Sequence, residues 1–246
     1  MIGRFRQLVL CYHAVSDGWT HPLSVPPALF ERQIRTLLLR RFQPASVDDV
    51  LQGTGRSFHV TFDDAYRSIS AALPILERLN VPATIFACAD FADEGGPLTV
   101  PELSKEAAAT PHELATMTWD DLRGLAKRGI EIGSHTLTHA HLTRLGEAEL
   151  LRELRDSRLR FEDEIGVPCR LLSYPYGEHD TRVRQAARRA GYRAAFGLFR
   201  DSPRQTDLYA FPRVDIYRRD NAIMTTVKTS RSYGPALALL RLVRAR

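Results

Sequence analysis

The chain has 246 residues, 44% of them hydrophobic and 26% charged, with a formal net charge of +5. It is long and apolar enough to bury a substantial core, which excludes a disordered polypeptide, and three cysteines are too few for a disulfide scaffold. The positive charge is dispersed rather than clustered, so no nucleic-acid partner is expected.

In chain order, an apolar run from Leu8 to Tyr12 ends at His13 and predicts a strand over 7–13, too short for a signal h-region or a membrane span. Leu29, Phe30, Ile34, Leu37 and Leu38 keep helical spacing through 26–41. Further strands are predicted at 57–62, 82–88, 130–134, 170–174, 194–198 and 211–216, alternating with helical patterns, which is the cue for parallel βαβ units. Between them, Asp90 to Thr116 is a long loop-like insertion of the kind that shapes a cleft. Thr118 is the expected cap of a helix with Asp120 and Asp121 in its first turn, and Leu150, Leu154, Leu159 and Phe161 belong to one long charged helix. The fold expected is α/β, a distorted TIM-like barrel of about seven strands formed by residues 1–246 as one domain. The last residues, Ala236 to Arg246, predict an apolar helix ending in arginines, expected to dock on the domain or to make weak contact with a membrane surface.

Cys11, Cys88 and Cys169 lie in or beside predicted strands without metal-binding spacing, and an odd number of buried thiols suits a reducing compartment. The expected location is therefore cytoplasmic, although a trimmed leader would leave the same sequence.

Two segments carry chemistry. Val60-Thr61-Phe62-Asp63-Asp64 places two acids at the C-terminal end of a strand, where α/β barrels hold their active sites, and His135 and His139 follow the predicted strand ending at Ser134. Alone, an Asp-Asp pair after a strand reads as a helix cap, and a pair of histidines four residues apart as a surface feature. Together they supply two imidazoles and a carboxylate for a divalent ion, with a second carboxylate left over for proton transfer.

At these residues the chain resembles the polysaccharide deacetylase family, or NodB homology domain. Thr61-Phe62-Asp63-Asp64-Ala65 is similar to its first motif, with Ala65 where glycine is usual, and His135-Thr136-Leu137-Thr138-His139 to its second. Ser173-Tyr174-Pro175-Tyr176-Gly177 resembles the third, with Ser173 in place of an arginine expected to orient the base. The branch that shares this departure resembles poly-N-acetylglucosamine deacetylases, in which the acid-bearing strand is permuted to the N-terminus. In this chain that makes His13 the candidate acid.

The resemblance implies removal of N-acetyl groups from an N-acetylglucosamine-type saccharide or glycoconjugate. Asp63 is then the catalytic base and His13 the acid, and Asp64, His135 and His139 are the ligands of one divalent ion. Zinc is the first choice for that ion, with cobalt, nickel or iron as alternatives. Tyr174, Pro175, Tyr176 and Trp119 are expected to bind substrate, with the backbone N–H of Tyr176 at the oxyanion, and Arg213 or Asp215 to support the site. The net charge is compatible with anionic partners such as sugar nucleotides or lipid-linked sugars. Cleavage of another linear or cyclic amide, or a sugar-binding module without catalysis, are the alternative readings.

Overall fold

The structure is a computed structural model and describes residues 7–53, 55–198, 207–230 and 233. Its strands are β1 (Gln7–Tyr12), β2 (Gln43–Pro44), β3 (Ser57–Phe62), β4 (Ala83–Ala87), β5 (Glu131–Ser134), β6 (Leu171–Ser173), β7 (Ala194–Leu198) and β8 (Phe211–Asp215). Every residue of β1, β3, β4 and β7 is buried, as parallel strands covered on both faces require. Seven strands run in the order β1-β8-β7-β6-β5-β4-β3, and β1 pairs in parallel with β3 to close the barrel. The short β2 lies outside this ring against the start of β3. The seven expected strands therefore occur, each within a residue or two of its predicted limits, and among the described residues β2 is the one addition.

Around the barrel lie α1 (Pro27–Leu39), α2 (Val47–Gln52), α3 (Leu73–Arg78), α4 (Ser104–Ala109), α5 (Trp119–Lys127), α6 (Glu147–Leu151), α7 (Ser157–Ile165), α8 (Thr181–Arg189) and α9 (Ala222–Lys228). Spacing explains α1, whose Phe30, Ile34 and Leu37 face the core. The single long helix expected from Leu150 to Phe161 is interrupted: a π turn, Arg152–Asp156, joins α6 to α7. Leu150, Leu154 and Phe161 are buried, while Leu159, nine residues from Leu150 and off that face, is 47% exposed.

The insertion at 90–116 is structured rather than a bare loop. It contains α4 and short 3₁₀ turns, is pinned by the bridges Tyr66 to Thr116 and Pro97 to Ala115, and buries Leu98, Val100 and Leu103. Thr118 caps α5 with a reciprocal capping box to Asp121. All three cysteines are buried and free. Among the described residues no helix is long and apolar enough to cross a membrane, and the segment from Ala236 to Arg246 lies outside those residues.

Candidate active site

Strand register brings the candidate residues together. Tyr12 pairs with Phe62 across β1 and β3, so His13 and Asp63 leave the barrel rim side by side, and the Asp63 N–H donates to the Tyr12 carbonyl at 2.9 Å. Ala87 pairs with Ser134 across β4 and β5, and the His135 N–H donates to the Ala87 carbonyl at 2.7 Å. Beyond these strand ends the backbone turns sharply. Asp64, Ala65, Thr136, His139 and Tyr176 all have positive φ, and among the described non-glycine residues only Arg41 and Asn80 share that property. Each such residue costs about 1–2 kcal/mol, strain that collects at functional sites. At Ala65, with φ of 47°, glycine would be spared this strain, which accounts for the glycine usual at that motif position.

Asp64, His135 and His139 each present a ligand atom within 4.8 Å of the others, and all three residues are buried. The His135 Nδ1–H donates to the Ser173 carbonyl at 2.8 Å, which leaves its Nε2 as a lone pair 3.6 Å from Asp64 Oδ1. His139 Nε2 lies 3.3 Å from the same oxygen. Burial holds His135 neutral by lowering its pKa to about 4, although the charge of Asp63 opposes this. Asp64 Oδ1 nevertheless has no hydrogen-bond partner. A buried carboxylate oxygen facing two imidazole nitrogens at 3.3 and 3.6 Å suits a bound cation, so the donor set fits a divalent metal.

Asp63 has different company. Burial would raise its pKa, but the Arg213 guanidinium outweighs that and holds the carboxyl well below the usual range. Arg213 Nη1 and Nη2 donate to Asp63 Oδ1 and Oδ2, each at 2.7 Å, and Arg213 Nη2 also donates to Ser173 Oγ at 2.7 Å. Ser173 Oγ donates to Asp63 Oδ2 at 3.2 Å. The expectation that Ser173 removes the orienting guanidinium is thereby corrected. Arg213 reaches Asp63 from β8 instead, and the smaller serine leaves room for it.

His13, Asp63, Asp64, His135, His139 and Tyr176 line one cavity of about 320 Å³. The insertion walls one side with Leu98, Val100, Glu102 and Leu103. The Tyr176 ring lies edge-on to His139 and stacks on His141 at 3.8 Å, and its hydroxyl donates to Glu102 Oε2 at 3.0 Å. His141 sits between Glu102, at 3.2 Å, and Glu178, at 3.0 Å. Gly177 also has positive φ, and a Cβ there would come within 2.6 Å of Leu198 Cγ, so the turn carrying Tyr176 has no room for a side chain at the next position.

Other expected site residues lie elsewhere. Trp119 is buried against Phe161 and donates its indole N–H to Asp93 at 2.8 Å, so it does not wall the cavity. Tyr174 is fully buried, its hydroxyl donating to the Tyr209 carbonyl at 2.9 Å, and Pro175 is buried at the start of the same turn, so neither side chain lines the cavity. The motif places Tyr174 and Tyr176 two apart, but the left-handed turn at Tyr176 sends only the second outward. Asp215 does not line the cavity, and its carbonyl accepts from Lys228 Nζ at 2.9 Å.

Glu153 escaped the reading of the sequence. From the π turn its buried carboxylate accepts the Leu137 and Thr138 N–H groups at 3.0 and 3.1 Å and the Thr138 hydroxyl at 2.8 Å, holding the loop between His135 and His139. The available signal was its position three residues after Leu150, on that residue's buried face.

Residues 52–195 match the family described as Polysaccharide deacetylase. Over 219 residues the chain is 26% identical to YxkH of Bacillus subtilis (strain 168), provisionally named a polysaccharide deacetylase, covering 85% of this chain and 70% of that one. The fold matches that of BC0361, a polysaccharide deacetylase from Bacillus cereus, with a TM-score of 0.72 at 22% identity, covering 91% of this chain and 69% of that one. It also matches IcaB from Ammonifex degensii, with a TM-score of 0.72 at 18% identity, covering 91% and 97% of the two chains. The chain belongs to the polysaccharide deacetylase family, hydrolases that act on the carbon–nitrogen bonds of N-acetyl groups.

Proposed function

We propose that this protein is a metal-dependent N-deacetylase of an amino sugar, an N-acetylglucosamine-type saccharide or glycoconjugate. The observation that carries the reading is the buried, unpartnered Asp64 Oδ1 facing two imidazole nitrogens, beside the ionised Asp63 in the same cavity. Asp64, His135 and His139 would hold the ion, zinc being the best match to the donors, with cobalt, nickel or iron as substitutes. Such an ion lowers the pKa of a bound water and polarises a carbonyl.

Asp63, kept ionised by Arg213, takes a proton from the attacking water. His13 is adjacent on the rim and gives a proton to the departing amine. The Tyr176 N–H, on the strained turn, is the oxyanion donor by analogy with the family, and the Tyr176 ring packs against His139 to fix that turn. Retention of a guanidinium on the base through Arg213 favours an active enzyme over a sugar-binding module.

The test is acetate release by metal-reconstituted protein from monomeric, nucleotide-linked, lipid-linked and polymeric N-acetylated sugars, with simple cyclic imides alongside. Release from at least one sugar is expected, and Asp63→Asn should abolish turnover while leaving metal content intact. Cleavage of imides alone, or undiminished turnover by Asp63→Asn, would overturn the reading or its base assignment respectively.

A further inference from the structure

A second group of metal-binding side chains shares the cavity. Cys11, His13 and Asp63 each present a ligand atom within 4.8 Å of the others, on the adjoining ends of β1 and β3. The Cys11 thiol donates to Asp63 Oδ2 at 3.4 Å, a proton that a metal ion would replace, and His13 Nδ1 is buried with no hydrogen-bond partner. The three donors all line the same cavity as Asp64, His135 and His139. Thiolate, imidazole and carboxylate together are a donor set that suits zinc or cobalt.

The two groups are not equivalent. Asp64 Oδ1 has no hydrogen-bond partner, whereas both Asp63 oxygens already accept from Arg213, whose positive charge opposes a second cation. The Asp64 group should therefore fill first and the Cys11 group only when metal is in excess. We propose that Cys11, His13 and Asp63 form a second, inhibitory site for a thiophilic divalent cation. Binding there forms a sulfur–metal bond as the Cys11 thiol releases its proton to solvent, with no change in oxidation state. It also engages the two residues that the proposed deacetylation uses as base and acid, so occupancy and turnover exclude each other. The inhibitory part of this inference rests on the proposed function, while the binding part does not.

Stepwise addition of cobalt(II) to the metal-free full chain tests it. The first equivalent should bind without a near-ultraviolet thiolate-to-cobalt charge-transfer band, and the second should bring that band in. Cys11→Ser should lose the band and keep the first equivalent, whereas Cys88→Ser should keep both. Should Cys11→Ser fail to fold, cadmium NMR of the unaltered chain reads the same event as a second resonance shifted by one sulfur ligand. Acetate release should rise with the first equivalent and fall by about 100-fold or more with the second, since general acid and base are both withdrawn. A mild chelator should restore it. No sulfur signal at any metal ratio, or a band that survives Cys11→Ser, would overturn the second site. A sulfur signal with turnover undiminished would overturn its inhibitory role. Absence of turnover at one equivalent on every N-acetylated sugar would instead sink the proposed function, leaving the spectroscopic result to stand or fall separately.

Discussion

The Arg213 guanidinium meets the Asp63 carboxylate edge to edge, with both Nη–Oδ distances at 2.7 Å and both side chains closed to solvent. Phe86 lies under the guanidinium at 5.5 Å, and Thr61 accepts from Nη1 at 3.1 Å. Two parallel charge-assisted bonds fix the plane of the carboxylate as well as its charge. Truncating Arg213 to Met strands a buried anion and should destabilise the fold by about 3–5 kcal/mol. Arg213→Lys keeps the charge without the fork and should retain more stability than Met while still losing most turnover. Urea unfolding and acetate release on the same preparations check this, and a fully active Lys variant would contradict it.

Metal removal should lower thermal stability. Because the unpartnered Asp64 oxygen gains its partner only when a cation binds, metal at about 100 times its dissociation constant should add roughly 2.7 kcal/mol. For a chain of this size that corresponds to a rise in Tm of about 5–10 °C. Calorimetry before and after chelation measures the shift, and His139→Ala should show none.

Glu153 touches none of the three candidate ligands, yet it holds the Leu137 and Thr138 amides between two of them. Glu153→Gln turns one acceptor into a donor facing backbone N–H groups, so metal affinity should fall by about 10–100-fold. Competition with a chelating dye gives the affinity. An unchanged value would mean that the loop holds its shape without the carboxylate.

His59 sets an acid limit on stability away from the catalytic rim. It is buried between the Ala45 carbonyl and Thr84 Oγ1, both at 2.9 Å, and burial lowers its pKa to about 4. In the unfolded chain a histidine takes up its proton near pH 6.5, so between about 6.5 and 4 the unfolded state binds more protons and folding weakens as pH falls. The loss should reach about 2–3 kcal/mol across that window. Denaturation of His59→Gln between pH 7 and pH 4.5 should show a shallower slope than the unaltered chain, and equal slopes would assign the acid sensitivity elsewhere.

The barrel was legible because parallel strands buried on both faces leave apolar runs that need no partner to be recognised, and the acids and histidines fall where those runs stop. The break at Arg152–Asp156 was not legible, since a π turn changes the helical period without any proline or glycine to announce it. Trp119 shows the limit of a motif. Its capping neighbour Thr118 was readable from local chemistry, but the direction of the indole depends on Phe161 and Asp93. Ser173 was read as the loss of a guanidinium because the compensating one lies 40 residues further along.

Sequence alone determined the repertoire: the seven strands that form the barrel, their succession along the chain, and the carboxylates and imidazoles at their ends. Tertiary structure decided the division of labour between two adjacent aspartates, pairing Asp63 with Arg213 across 150 residues and leaving Asp64 to the histidines. The reason is geometric. Periodicity reports which face of an element is buried, whereas contacts across the rim depend on closure of β1 on β3 and on left-handed turns at Asp64, His139 and Tyr176, which no local pattern specifies.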